Sequence, residues 1–274
     1  MARHVIGKIS GNERQIFEII VLIMSACIPF LVNLKSIFKD YLLEQPLSPD
    51  NIVWQLVIRG RKSIGAILLI MIALYFIRKF NKDYVMNAKR VYHDYPYYWY
   101  YFCSKILGIN KCDLVMVPIY MQFKLVIRAT FLEYPLDDKD YPVNNDELAT
   151  KITIFNGNDS IDEVNIVLED THKIDIQQLP KNKRSLETIK ISRNNNDNSR
   201  HFSQQYIDAV INCVASLKNN TSVNVYATTN PMNTKYIAKR AFGSGDRGNV
   251  DHLYVFQQSK NGNRNFEMQG RKIY

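Results

Sequence analysis

The sequence predicts an N-terminal transmembrane hairpin of two helices, followed by a C-terminal α/β domain with a mostly parallel sheet. Two long apolar segments lie within the first 80 residues. After residue 150, short runs of β-branched residues alternate with segments that have the 3.6-residue period of amphipathic helices. Strands that alternate with helices indicate parallel β-α-β units joined by right-handed crossovers. The chain has 274 residues, which is enough for both parts.

The first apolar segment, residues 16–34, is long enough to cross a bilayer. It carries no charge from residue 19 to residue 34, and this stretch would extend roughly 24 Å as a helix. Pro29 is tolerated in a membrane helix and predicts a kink. A signal peptide is the alternative, but Asn33, Leu34 and Lys35 follow the run in place of a small-residue cleavage site.

The second apolar segment, residues 63–77, is short for a membrane span but is bordered by basic residues. Long basic side chains can extend to the lipid headgroups from both ends. A buried core helix is the alternative for a run of this length. Because two such runs lie close together, we expect membrane helices at about 16–34 and 63–78, within a region of residues 1–80.

The distribution of basic residues predicts how the hairpin is oriented. Eight Lys and Arg residues lie before the first predicted span or shortly after the second, against five in the loop between them. Because cytoplasmic segments are enriched in Lys and Arg, we expect both termini in the cytoplasm. The four cysteines have no CxxC or zinc spacing, which indicates free thiols in a reducing compartment.

Residues 81–150 are predicted to form an aromatic-rich junction of mixed helix and strand. Eight aromatic side chains are concentrated between residues 92 and 102. Tyr and Trp collect at membrane interfaces, so interfacial or interdomain packing is favoured over base stacking in a nucleic-acid groove. The apolar runs LVMVPIYM at 114–121 and KLVIRATF at 124–131 predict two strands.

Residues 151–274 are predicted to form the α/β domain. Strands are expected at 151–155, 164–168, 188–192, 223–228 and 252–257, and helices at 203–217 and 233–242. The first of these helices carries Tyr206, Val210 and Val214 at helical spacing. The polar tail from Ser259 is expected to be peripheral.

The usual enzyme signatures are missing from the sequence. It has no GxSxG, HExxH, Walker A or GxGxxG motif, and its five histidines are scattered. We therefore expect no catalytic residue, no metal site and no cofactor. The alternative is a membrane-anchored nucleotide-processing enzyme, for which Asp170, His172 and Asp246 are the candidate residues.

Polar and basic residues at strand ends predict a site for a phosphorylated ligand. Ligands of open α/β sheets bind beyond the carboxyl ends of the strands, where the free amides of the next helix suit a phosphate. The glycines of GSGDRGN, residues 243–249, permit close approach of a ligand. Helix capping is the alternative role. The candidate ligand-binding residues are Arg193, Arg200, Thr228, Thr229, Asn230, Arg240 and Arg247.

The segment 222–258, SVNVYATTNPMNTKYIAKRAFGSGD…HLYVFQQ, resembles the closing unit of SAVED and CARF sensor domains. In those domains a strand ends in a small-polar-Pro step, and a helix, a turn with Gly and a final strand follow. The resemblance implies a Rossmann-like sensor of cyclic oligonucleotides from bacterial antiphage signalling, with Thr228, Thr229 and Asn230 at the ligand-contacting step. The domain is short for a full SAVED domain, which implies one half that pairs with another subunit.

A sensor of this kind joined to two membrane helices resembles the effectors of CBASS-type and Hailong-type defence. The resemblance implies a bacterial inner-membrane effector or channel, controlled by a cyclic or short oligonucleotide that a nucleotidyltransferase of the same system supplies. Two helices cannot enclose a pore, so a homo-oligomer is expected. Ser25 and Ser63 are candidates to face the lumen of such a pore, and Glu18 is a candidate to lie at its mouth. The alternative for all three is helix packing or a position at the membrane interface. A third possibility is a passive scaffold that binds nucleic acid through a basic face, since the net charge is +9.

Overall fold

The computed structural model describes residues 12–31, 52–89, 91–143, 150–157, 162–193, 200–243, 249–259 and 264–274. The chain divides into two compact units. The hairpin unit comprises residues 1–84 and 101–110, and the sheet unit comprises residues 85–100 and 111–274. The three-part division of the chain at residues 80 and 150 stays a prediction.

The hairpin unit contains two long helices, α1 (Glu13–Leu31) and α2 (Ile52–Asn81). Both include a stretch long and apolar enough to cross a membrane, with mean hydropathy 1.8 in α1 and 1.9 in the Lys62–Asn81 part of α2. The helices pack on one another, and Gly65 lies against Pro29 at their contact. Their outward side chains, such as Leu31 and Phe80, are apolar and exposed, as expected of surfaces that contact lipid.

The sheet unit is built on six strands with both parallel and antiparallel pairs. They are β3 (Lys151–Phe155), β4 (Glu163–Glu169), β5 (Thr188–Ser192), β6 (Thr221–Ala227), β7 (Val250–Phe256) and β8 (Arg271–Lys272), in the spatial order β3-β5-β4-β6-β7-β8. The four central strands are parallel, and the two edge strands run antiparallel to their neighbours. The expectation of a mostly parallel sheet is therefore corrected to a mixed sheet.

The length of one connection and a local chain reversal explain the two antiparallel edges. A parallel crossover needs a dozen or more residues, and only residues 156–162 separate β3 from β4. The chain therefore reverses after β3, which then lies antiparallel to β5. At the other edge Gln258 pairs antiparallel with Phe266, so the chain folds back before it enters β8.

Buried apolar residues cover both faces of the sheet. Because alternate residues of a strand point to opposite faces, Val167, Tyr226 and Phe256 share one face. They pack there with Ile174, Leu179 and Phe266. Ile166, Val225 and Val255 point to the other face and are fully buried. Helix α5 (Gln204–Ala215) and helix α6 (Pro231–Ile237), with the π-helix Ala238–Phe242 that continues α6, pack on one another.

Two expectations about this unit are wrong. The runs at 114–121 and 124–131 were expected as strands, but α4 spans Ile119–Ile127 and the only regular strand nearby in the described residues is β2 (Lys111–Cys112), parallel to β1 (Val85–Met86). Helix α4 is buried on most sides, so apolar residues occupy most of its positions. A short run of this kind cannot be distinguished from a buried strand by its periodicity.

The C-terminal tail was expected to be peripheral, but it joins the core. Phe266 and Ile273 are buried, and Arg271 and Lys272 form β8. The aromatic segment forms α3 (Tyr97–Lys105), in which Tyr100 is buried against Tyr95 and Phe131. Tyr98 is exposed on the same helix. An interfacial role for this segment stays a prediction.

Candidate functional site

Three neighbouring strands bring polar side chains together at one edge of the sheet. Asp170 directly follows β4, Arg193 follows β5 and Thr228 follows β6. These strands are parallel, so their carboxyl ends meet. We call Asp170, Arg193, Thr228, Asn230 and Asn233 the strand-end cluster.

A buried ion pair forms the centre of the strand-end cluster. Arg193 Nε lies 2.7 Å from Asp170 Oδ1, and the two side chains are 3% and 0% exposed. The other carboxylate oxygen, Asp170 Oδ2, accepts hydrogen bonds from Asn230 N at 3.0 Å, Asn230 Nδ2 at 2.9 Å and Asn233 Nδ2 at 2.9 Å. Burial raises the pKa of the Asp170 carboxyl above its ordinary value, and Arg193 and the asparagine donors oppose that rise.

Thr228 fastens the end of β6 to the segment after β4. Its hydroxyl accepts a hydrogen bond from Asp170 N at 3.2 Å and donates one to His172 O at 2.8 Å. Asn230 is the N-cap of α6, since its Oδ1 accepts from Asn233 N at 3.0 Å. The strand-end cluster therefore fixes where α6 begins relative to the sheet.

The order of the strands places this cluster where ligands commonly bind. The chain passes from β4 to β5 on one side and then to β6 on the opposite side of β4. In open α/β sheets the crevice between two strands at such a reversal is the usual ligand site. The ends of β4 and β6 flank this point, and Asp170 and Thr228 lie on them.

A second polar cluster lies in the hairpin unit and joins α1 to α2. Glu18 accepts hydrogen bonds from Arg14 Nε and Asn81 Nδ2, each at 3.0 Å. Asn81 Nδ2 also donates to Leu107 O at 2.9 Å. Gln15 and Asn81 are fully buried, and Glu18 is nearly so. We call Arg14, Gln15, Glu18 and Asn81 the hairpin cluster.

The chain matches a single family model along almost its whole length. The model describes a "SMODS- and Ubiquitin system-associated 2TM effector domain" and matches residues 1–273. The chain belongs to this family. The predicted two-transmembrane effector of bacterial antiphage nucleotide signalling is thereby confirmed.

Solved structures similar to this 2TM effector domain include two of the Acinetobacter baumannii Cap4 receptor, which contains a SAVED/CARF domain. One, with the cyclic trinucleotide 2'3'3'-cAAA, has 11% identity, a TM-score of 0.39, and coverage of 64% of this chain and 40% of the receptor. The other, with 3'3'3'-cAAA, has 10% identity, a TM-score of 0.40, and coverage of 87% and 53%. The 2TM effector domain thus spans about half the length of that receptor or less. No curated protein shows significant sequence similarity to the chain.

The structure of the 2TM effector domain brings together four of the seven candidate ligand-binding residues. Arg193, Thr228 and Asn230 belong to the strand-end cluster, and Thr229 adjoins it with its hydroxyl 2.7 Å from that of Thr234. All four are buried. As ligand contacts they stay predictions.

The other three candidates have different positions. Arg200 is exposed, and its charge opposes the burial that raises the pKa of Tyr141 to about 12. Arg240 lies on the π-helix, where it forms an exposed ion pair with Asp208 at 3.4 Å. Arg247 lies outside the described residues, as do Asp246 and most of the segment 243–249.

Sequence reasoning missed the partners that hold Arg193 in place. Asp170 was considered only for the enzyme alternative, and Asn233 was not considered. The available signals were an Asp directly after a buried strand and the pair Asn230 and Asn233 around the start of α6. Among the described residues no group of three or more His, Cys, Asp or Glu is placed to hold a metal ion.

The residues proposed to line a lumen also have defined positions. Glu18 points into the hairpin cluster, and the Ser25 hydroxyl donates to Val21 O at 2.8 Å within α1. Ser63 is exposed on α2. Glu18 therefore has a packing role in the hairpin unit.

Replacing Glu18 with Ala should destabilise the hairpin unit. The change removes a buried acceptor from Arg14 and Asn81, and hydrogen bonds to charged groups contribute about 1.5–3 kcal/mol each. We expect a lower Tm of the detergent-solubilised protein. The control is Glu13→Ala, which changes an exposed carboxylate on the same helix and should leave the Tm nearly unchanged. Equal Tm values for both variants would contradict the hairpin cluster.

Proposed function

We propose that this 2TM effector domain assembles as a homo-oligomer and controls the permeability of the bacterial inner membrane in response to a cyclic or short oligonucleotide. The proposal is supported above all by one combination. A chain of the 2TM effector family carries, in its sheet unit, a preformed polar site at the reversal point of four parallel strands. In this proposal the ligand shifts an equilibrium between closed and open assemblies by binding them with different affinity.

The chemistry around the strand-end cluster suits an anionic ligand. The buried ion pair holds the ends of β4 and β5 rigidly, so the exposed groups next to it are preorganised. Arg200 and Lys173 are exposed cations on the segments near Arg193 and Asp170 in sequence. We propose that the phosphates contact the two exposed cations, Arg200 and Lys173. In this arrangement Arg193 positions the edge of the site through Asp170.

The assembly is proposed from the number of helices. A hairpin with two spans cannot enclose a pore, so several copies must contribute helices if the protein forms a channel. We propose that both termini lie in the cytoplasm, where a nucleotidyltransferase of the same system would supply the ligand. The exposed apolar surfaces of α1 and α2 provide the area for contacts with lipid and with other copies.

We propose no catalytic role for the strand-end cluster. An enzyme at this edge would need a carboxylate or imidazole with unused capacity for proton transfer or metal binding. Asp170 instead contacts Arg193 through one oxygen and accepts three hydrogen bonds through the other. The chain therefore acts, in this proposal, by binding and changing conformation.

The proposal is tested with the full-length protein in dye-loaded liposomes. We expect at least one member of a panel of cyclic di- and trinucleotides to change the rate of dye release and to raise the Tm, because binding to the native state stabilises it. Light scattering in detergent should show a mass of several copies. A monomer whose Tm and dye release respond to no member of the panel would overturn the proposal.

Arg200→Ala should weaken the response to the active nucleotide without affecting folding. Arg200 is exposed, so its replacement should change stability by no more than about 0.5 kcal/mol. Loss of one arginine–phosphate contact should raise the half-effective concentration about tenfold or more. Arg264→Ala, at an exposed arginine of the C-terminal tail, is the control. An unchanged response in Arg200→Ala would remove Arg200 from the site.

A further inference from the structure

A cleft of about 390 Å³ lies in the sheet unit between the end of α4, the segment 129–135 and the later part of α6. This volume is within the range of small-molecule sites. Its walls are mainly apolar and include Val126, Phe131, Leu132 and Pro135. Leu132 is 77% exposed, which is unusual for a large apolar side chain that borders a concave surface. A ligand in the cleft would cover it.

Two lysines give the cleft a positive side. Lys235 and Lys239 both line it and are four residues apart, so they lie on the same side of the helix. Lys235 Nζ donates to Tyr134 O at 2.9 Å, which holds it in place. Lys239 is exposed, and within the described part of the chain no carboxylate lies at ion-pair distance from it. Two ammonium groups among the lining residues favour an anionic ligand.

An unusual backbone conformation borders the cleft. Lys239 lies in the π-helix Ala238–Phe242, and π-helical turns are rare and frequently occur at functional sites. On the opposite wall Ala129 has a φ of 44°, which ends α4: its N–H donates to Val126 O at 3.1 Å.

We propose that this cleft binds a phosphorylated ligand with a flat aromatic ring, of the size of one nucleotide. The phosphate lies between Lys235 and Lys239, and the ring packs on the exposed side chains of Leu132 and Pro135. Glu133 also lines the cleft, and its negative charge favours a ligand with one phosphate over a polyphosphate. The cleft and the strand-end cluster involve different parts of α6, so this proposal stands whether or not the strand-end cluster binds a ligand.

The test uses photolabelling of the full-length protein in detergent with 8-azido-AMP, followed by peptide mass spectrometry. We expect label in peptides that contain residues 126–135 or 235–239, and we expect excess AMP to suppress it. Inorganic phosphate at the same concentration as AMP should compete poorly, because it cannot use the apolar walls. Label confined to other peptides, including those of the strand-end cluster, would overturn the proposal, as would equal competition by phosphate.

Variants at the two sides of the cleft separate ligand contact from overall charge. Lys239→Glu should lower the affinity for AMP by about tenfold or more, the loss of one charge-assisted contact. The control Lys181→Glu makes the same change of charge at an exposed lysine outside the cleft and should shift affinity by no more than about twofold. Leu132→Ser should also weaken binding, and because Leu132 is exposed this change should leave the fold intact. Equal affinities for Lys239→Glu and Lys181→Glu would contradict the site. None of these readouts depends on dye release, so failure here is distinct from failure of the proposed membrane function.

Discussion

Replacing Arg193 with Ala should lower the free energy of unfolding of the sheet unit by about 3–5 kcal/mol. The change leaves the Asp170 carboxylate buried without its cation, and breaking a buried ion pair from one side has an effect of about this size. Hydrogen exchange on the full-length protein in detergent is the measurement. Amides of β4 and β6 should exchange about two to four powers of ten faster in the variant.

The matched control for this experiment is Arg240→Ala. Arg240 also pairs with an aspartate, Asp208, but at 3.4 Å and with both side chains exposed. Exposed ion pairs contribute about 0–1 kcal/mol, so exchange in β4 and β6 should change little. If Arg193→Ala and Arg240→Ala had equally small effects, the buried pair would not form in the native protein.

Replacing both Arg193 and Asp170 separates the structural effect of their ion pair from a direct contact between Arg193 and the ligand. The double variant Arg193→Met, Asp170→Leu should be more stable than either single variant, because no unpaired charge stays buried. If this variant folds and still responds to the active nucleotide, then Arg193 acts only in positioning the strand ends. If it folds and does not respond, the original prediction of Arg193 as a ligand contact gains support.

The regular elements of the sheet unit could be predicted well from the sequence. The expected strands at 151–155 and 188–192 have the same ends as β3 and β5. Each is a short β-branched run bounded by polar or turn-forming residues, which is the strongest local signal for a strand. The helix expected at 203–217 contains α5, because Ser203 supplies an N-cap and the apolar residues recur with a helical period.

Features that depend on long-range pairing could not be predicted from local patterns. The order of the strands and the antiparallel pairing of β8 depend on contacts between distant residues, such as Gln258 with Phe266, which no periodicity encodes. Helix α4 was missed for a related reason. Its apolar residues are buried on several sides by the fold, and a short, mostly apolar run suits a buried helix and a buried strand equally.

The candidate site was predictable in position but not in its internal partners. Thr228 and Asn230 could be placed at a strand end from the sequence, since the carboxyl edge follows from the strand assignment. The pairing of Arg193 with Asp170 requires β5 to lie beside β4, which only the sheet order shows. An arginine that was expected to bind phosphate therefore has a carboxylate of the same chain as its partner.

Replacing Phe266 with Ala should destabilise the sheet unit by about 3–5 kcal/mol, although the sequence indicated a peripheral tail. The Phe266 ring is buried and packs edge-on against Tyr226 at a centroid distance of 5.1 Å, and Tyr226 in turn stacks on Phe256 at 4.5 Å. Truncating a buried phenylalanine removes its apolar contacts and leaves a cavity between these rings.

The tail offers its own control in Met268→Ala, since Met268 is 63% exposed. Removing an exposed side chain should change stability by no more than about 0.5 kcal/mol. Hydrogen exchange in peptides from β6 and β7 should therefore accelerate strongly in Phe266→Ala and hardly at all in Met268→Ala. If neither variant exchanged faster than the unmodified protein, residues 264–274 would lie on the surface and β8 would contribute nothing to the core. The antiparallel pairing of β8 with β7 argues against that outcome, because Ile273 N donates to Leu253 O at 2.9 Å and Leu253 N donates to Tyr274 O at 3.3 Å.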